Sequence, residues 1–209
     1  MDLGFVHRFE PGETLAAPTV LLLHGTGGDE NDLMSIGRSI APRANLLSPR
    51  GKVIENGMPR FFRRFAEGIF DEEDIKFRAQ ELVGFIASAA VHYGFEAQNV
   101  IAFGYSNGAN IAGATLLLHP PALAGAMLLR PMVPLVPRDL PDLHGKEILI
   151  EAGSADPIGT ISEIERLVML LGKTGAQLTI KQHRAGHGLT TDDFAEAQRW
   201  LGQYFGGTQ

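Results

Sequence analysis

Short apolar runs alternate along this chain with longer stretches whose apolar positions recur at helical spacing. Thr19-Val20-Leu21-Leu22-Leu23-His24 is apolar without alternation, the pattern of a strand covered on both faces. Ala44 to Ser48, Asn99 to Phe103, Leu123 to Leu129 and Glu147 to Glu151 read the same way. Gln177 to His183 alternates loosely as a last strand, and Leu3 to Glu10 reads as a short opening strand ended by Pro11-Gly12.

Helices are predicted between these runs. Leu33, Ile36 and Ile40 mark the first, with Asp29 or Asn31 as its cap. Asp71-Glu72-Glu73-Asp74 puts negative charge on the first turn of a long helix, where the macrodipole favours it. Its stripe of Ile75, Ala79, Leu82, Ile86, Ala89 and Ala90 stops at Gly94. Asn107 to Leu118 is a third helix, and Thr160 with Glu163 makes a capping box for a fourth. Thr191 is expected to cap a fifth that turns Phe194, Ala197, Leu201, Tyr204 and Phe205 inward. The stretch from Pro49 to Asp71 has no clear period, and an irregular segment of that length is more often functional than idle. The tract Pro131 to Pro141 reads as a loop, because buried-type strands lie on both sides of it.

Strands alternating with helices from end to end predict an α/β fold with a doubly wound, mostly parallel sheet, as a single domain over residues 1–209. Functional residues should then lie past the carboxyl ends of the strands. A chain of 209 residues, 44% hydrophobic and 20% charged, has the composition of an ordinary globular domain. Its formal net charge of -6 speaks against nucleic acid as a partner. The basic cluster Arg60, Arg63 and Arg64 is interleaved with Phe61, Phe62 and Phe65 and reads as a half-solvated loop with aromatic anchors.

Cysteine is absent, which excludes disulfides, thiolate metal sites and a cysteine nucleophile. The first residues, Met1 to Arg8, lack the basic flank and apolar core of a signal peptide. The most apolar region, Ile111 to Val136, is broken by His119-Pro120-Pro121 and Arg130-Pro131, so no membrane span is expected. A cytoplasmic location is the expectation.

The candidate chemistry centres on Gly104-Tyr105-Ser106-Asn107-Gly108, which joins a predicted strand to a predicted helix. A serine at such a corner sits on a strained backbone with its hydroxyl pushed outward. It needs a base to take its proton and an acid to orient that base. Asp156, in Gly153-Ser154-Ala155-Asp156-Pro157, and His187, in Gly186-His187-Gly188, both follow predicted strands. The chain order Ser106, Asp156, His187 is that of nucleophile-elbow hydrolases. His183 is the main rival for the base, but it lies inside a strand, whereas His187 sits in a glycine-flanked loop. Asp139 and Asp142 precede their strand and should lie at the opposite edge. The loop His24-Gly25-Thr26-Gly27-Gly28 supplies the second half of an oxyanion hole, with the Thr26 and Asn107 amides as donors. His24 is expected to brace that loop and to move no proton. A phosphate-cradling loop fits less well, since no Gly-Lys-Ser/Thr follows.

These segments together resemble the phospholipase/carboxylesterase family of small α/β-hydrolases, the group that includes acyl-protein thioesterases. Asn56-Gly57-Met58-Pro59-Arg60-Phe61-Phe62 is similar to that family's loop beside the active site, with paired phenylalanines in place of its usual tryptophan neighbourhood. Asn107 stands where thioesterases of the family often carry glutamine. Both departures point to the bacterial carboxylesterase branch. The resemblance implies hydrolysis of a carboxylic ester through an acyl-enzyme, with no cofactor and no metal. With no inserted lid between the elbow and Asp156, a shallow site for short acyl chains is expected. Phe62, Met132, Val133 and Leu189, each following a strand end or a candidate catalytic residue, are the expected pocket walls. The expected partner is a small-molecule ester, with no nucleic acid and no membrane, and a homodimer is left open. Thioester or lysophospholipid hydrolysis uses the same residues, and a non-catalytic ligand-binding protein of the same fold is the reading from another class.

Overall fold

The computed structural model describes residues 3–205, so Met1 and Asp2 of the amino-terminal stretch read above lie outside the described residues. The chain runs β1 (His7–Glu10), β2 (Thr19–Leu23), α1 (Met34–Ile40) and β3 (Asn45–Pro49). Four short strands follow, β4 (Val53–Glu55), β5 (Met58–Arg60), β6 (Arg64–Ala66) and β7 (Ile69–Phe70), then α2 (Glu72–Tyr93) and β8 (Val100–Tyr105). The second half comprises α3 (Asn107–Leu118), β9 (Gly125–Leu129), β10 (Glu147–Gly153), α4 (Ile161–Gly172), β11 (Gln177–His183) and α5 (Thr191–Tyr204).

Seven strands form one sheet in the order β1-β3-β2-β8-β9-β10-β11. Only the β1–β3 pairing is antiparallel; the other five pairings are parallel. The uninterrupted apolar runs have the expected consequence, since every residue of β2, β3 and β9 is buried. One face packs against α2, α3 and α4 through residues such as Ile75, Leu82, Leu116 and Leu167. The other packs against α1 and α5 through Met34, Ile40, Ala197 and Trp200. The protein therefore has a doubly wound, mostly parallel α/β architecture.

The winding direction reverses between β2 and β8, because β3 lies on one side of β2 while β8, β9 and β10 continue on the other. In open α/β sheets that reversal opens a crevice beyond the carboxyl ends of the strands. The residues that follow β2 and β8 are the His24 loop and Ser106.

Three local expectations are corrected. α1 begins at Met34 with Leu33 as its boundary residue and no side-chain cap. Asp29 instead accepts from the Asn31 backbone amide at 2.7 Å, and Asn31 Oδ1 accepts from Arg8 Nη1 at 3.1 Å, so both side chains are engaged elsewhere. α5 is capped by Thr190 rather than Thr191, through a capping box in which Asp193 bonds back to the Thr190 amide at 2.6 Å. The stretch read as irregular between Pro49 and Asp71 contains two antiparallel hairpins, β4–β5 and β6–β7. Two- and three-residue strands are too short for periodicity to register. The long helix is as expected, with Asp71 accepting from the Asp74 amide and Gly94 closing the end in the left-handed conformation. Among the described residues no helix is long and apolar enough to cross a membrane.

Candidate active site

Ser106 occupies the corner between β8 and α3 at φ +53°, ψ -112°, a conformation rare for residues other than glycine. Its own amide donates to Leu129 O at 2.9 Å, and its carbonyl accepts from Asn110 N at 2.9 Å, so the corner is held from both sides. A Cβ at Gly108 would lie 1.9 Å from Leu23 O, which is why the first turn of α3 can press against the end of β2 only with glycine there.

The Ser106 hydroxyl lies 2.8 Å from His187 Nε2, and His187 Nδ1 lies 2.8 Å from Asp156 Oδ2. The other Asp156 oxygen accepts from the Ile158 and Gly159 amides at 2.8 and 3.1 Å. The three side chains come from loops after β8, β10 and β11, as the chain order anticipated. The last two loops touch directly. Ser154 N donates to His183 O and Ala155 N to Ala185 O, while a Cβ at Gly153 would fall 2.3 Å from Gly186 O.

The His187 loop is held from beneath by a residue that the sequence reading passed over. Arg130 follows β9 at φ +54°, and its side chain is fully buried. Its guanidinium donates to Gly186 O at 3.1 Å and to Gly188 O at 3.2 Å. Between these, His187 O accepts from the Tyr105 hydroxyl at 3.2 Å. Three successive carbonyls around the imidazole are thus fixed by two side chains. Arg130 is itself clamped by a bidentate pair with Asp193 at 2.8 and 2.9 Å.

Glu151 and His183 complete this buried cluster, with His183 Nε2 3.0 Å from Glu151 Oε2. Burial, then the neighbouring Asp193, pushes the Glu151 carboxyl up to about 10. Asp193 moves the other way despite its burial, because Arg130 and Glu151 hydrogen-bond its charged form. The ligand atoms of Glu151, His183 and Asp193 lie within 4.8 Å of one another, a spacing a cation could use. Here both Asp193 oxygens are already taken by the Arg130 guanidinium, so the cluster reads as a buried ion pair with a protonated neighbour.

The loop after β2 is fastened at three points. His24 Nδ1–H donates to Gly25 O at 2.7 Å and Nε2 accepts from Gly51 N at 2.9 Å, which defines a neutral imidazole. Burial lowers its pKa, in keeping with a brace that stays uncharged. Glu30 takes a bidentate pair from Arg50, and Thr26 Oγ1 accepts from Arg60 Nη1 at 2.8 Å. The Thr26 and Asn107 amides donate to no backbone carbonyl among the described residues. They remain available to a ligand. The Asn107 side chain accepts from Phe61 N at 2.7 Å, tying the elbow to the segment before β6.

Ser106, His187, Thr26 and Asn107 line one cavity of about 240 Å³, together with Tyr105, Asn110, Met132, Arg60, Arg64 and Phe70. Of the expected walls only Met132 lies here, its amide fixed by Asn110 Oδ1 at 2.8 Å. Val133 lines a neighbouring cavity. Phe62 and Leu189 are not among the residues lining this cavity. Phe62 is fully buried in the core in a T-shaped contact with Phe70, and Leu189 packs against the α1/α5 side of the sheet. Adjacency to a strand end or to His187 did not decide which way these side chains turn. Arg60 and Arg64 were visible as a basic cluster, but interleaved aromatics gave that cluster a sufficient surface explanation. For Arg130 the only signal was a charge placed directly after a buried strand.

The sheet order, the elbow and the hydrogen-bonded serine, histidine and aspartate are those of an α/β-hydrolase. The chain belongs to the phospholipase/carboxylesterase family, whose model matches residues 7–203. It is 47% identical over 194 residues to MhqD of Bacillus subtilis (strain 168), named as a hydrolase, covering 93% of this chain and 96% of that protein. Among solved structures it is similar to the Bacillus cereus carboxylesterase, at 46% identity and TM-score 0.94 over 97% of this chain and 95% of that one. A carboxylesterase from Mesorhizobium loti matches at 34% identity and TM-score 0.84, over 91% and 90% of the two chains. The protein is a hydrolase of this family.

Proposed function

We propose that the protein is a serine carboxylesterase that cleaves short-chain carboxylic esters through an acyl-enzyme. The single observation that supports this best is the unbroken hydrogen-bonded line from the Ser106 hydroxyl through His187 to Asp156. His187 Nε2 takes the hydroxyl proton as Ser106 Oγ attacks the ester carbonyl, and Asp156 holds the Nδ1–H tautomer and stabilises the imidazolium. The Thr26 and Asn107 amides receive the oxygen as it becomes negative. His187 then returns the proton to the leaving alkoxide, and a water activated by the same imidazole releases the acid.

Arg130 and Tyr105 act as positioning residues in this scheme, because they fix the carbonyls on either side of the base and its own. A cavity of about 240 Å³ bounded by Met132 and Phe70 suits a small acyl group. The substrate is a small-molecule ester, and no cofactor takes part.

A fluorophosphonate probe should label the purified protein but not the Ser106→Ala variant, and that variant should lose turnover of a p-nitrophenyl short-chain ester with its fold intact. Retained turnover would refute the nucleophile. A panel of acyl lengths should peak among the short chains.

A further inference from the structure

We propose that Arg60 and Arg64 form an anion subsite beside Ser106, making a carboxylic ester that carries a second carboxylate the preferred substrate class. This rests on the ester-hydrolase reading above and names the substrate it leaves open.

Arg60 and Arg64 both line the same cavity as Ser106, Thr26 and Asn107. Arg60 is 3% exposed in its side chain, a costly burial for a cation unless something repays it. Its Nη1 donates to Thr26 Oγ1 at 2.8 Å and lies 3.2 Å from Glu55 Oε2, while Nε reaches Phe62 O at 3.3 Å. Arg64 uses Nε alone, 3.1 Å from both oxygens of the same Glu55. One carboxylate thus serves two guanidiniums. Among the described residues Arg60 Nη2 and both terminal nitrogens of Arg64 make no hydrogen bond, which leaves donors for a ligand.

Burial, then the repulsion of Arg64, draws the Arg60 pKa below its usual value, the sign of a site short of negative charge. A carboxylate entering the cavity would relieve both effects, and charge-assisted bonds to guanidinium are among the strong ones. The cavity also receives Glu67, from the tip of the β6–β7 hairpin. It is exposed and forms no ion pair among the described residues, but its charge is felt at Arg60 and opposes an anion there, a repulsion that water weakens without removing.

A bracing role alone would account for the Thr26 bond of Arg60, but the hydrogen bonds of Arg64 go to Glu55 and none goes to that loop. The test therefore reads substrate charge through Arg64. Monoethyl adipate is compared with ethyl hexanoate, and 5-acetoxypentanoate with pentyl acetate, which place the second carboxylate on the acyl and the alcohol side of matched esters. In at least one pair the acidic ester should have a kcat/KM about tenfold or more above its neutral counterpart, the advantage shrinking with added salt. Arg64→Gln should reduce that ratio about tenfold, and Glu67→Gln should raise it. Neutral esters turned over as well as or better than the acidic ones in both pairs would overturn the subsite while leaving the esterase standing. A preference that survives Arg64→Gln would also overturn it. Failure of every ester together with no fluorophosphonate labelling would instead overturn the esterase reading.

Discussion

Two histidine–carboxylate pairs stand on neighbouring strands of this sheet, and they differ in almost everything except composition. His187 and Asp156 lie in loops past the strand ends, with His187 20% exposed in its side chain and its Nε2 directed at Ser106. His183 and Glu151 lie within β11 and β10, and the Glu151 side chain is fully buried. The free oxygen of Asp156 is met by two amide donors, whereas Glu151 faces a second carboxylate, Asp193. Two carboxylates in one dry site cannot both keep a charge, so Glu151 holds its proton and Asp193 takes Arg130. On the proposed mechanism, a histidine beside a carboxylate can transfer protons only where the backbone leaves it access to a substrate. Buried, the same pair becomes part of a scaffold.

Breaking each pair should separate these roles. His187→Ala should lower kcat/KM for a short-chain ester by roughly 10³-fold or more, while His183→Gln should cost stability and leave most of the turnover. Equal losses in the two variants, measured at matched folded fraction, would erase the distinction. Arg130→Met should be next in size. It leaves Asp193 buried without its counter-ion and removes two bonds to the His187 loop, a loss of about 3–5 kcal/mol in urea unfolding. Arg130→Lys should recover part of the stability but less of the turnover, because one ammonium cannot span Asp193 and both carbonyls.

Glu151→Gln sharpens the contrast through pH. With its folded value raised from 4.5 to about 10, Glu151 favours the folded state most below 4.5 and loses that contribution as pH climbs toward 10. The amide carries no such penalty, so the variant should gain on the parent by at most about 1.4 kcal/mol per pH unit across that window. Parallel stability curves would show that Glu151 is ionised in the fold. Tyr105→Phe should give the smallest change, since it removes a single bond to His187 O: about 1 kcal/mol, read as a several-fold fall in kcat with KM little altered.

Much of this arrangement is legible without coordinates. The continuous apolar runs of β2, β8 and β9 require cover on both faces, and that demand alone implies a parallel sheet between helices. Glycine at 104 and 108 around Ser106, together with the order Ser106, Asp156, His187, points to the strand ends. The hairpins between Pro49 and Asp71 were hidden, because strands of two or three residues carry no period. The pocket walls were hidden for another reason: Phe62 and Leu189 obey local packing, and their neighbours in the chain do not determine it.

Sequence by itself determined the alternation of elements, the strained corner at Ser106 and the chemical types available beyond the sheet, since these follow from local sterics and from burial periodicity. Tertiary structure decided that Arg130 should sit under the His187 loop, and that Arg60 and Arg64 should share a cavity with Ser106. Those outcomes depend on distances between residues far apart in the chain. They are set by the order of the strands in the sheet, which no local pattern encodes.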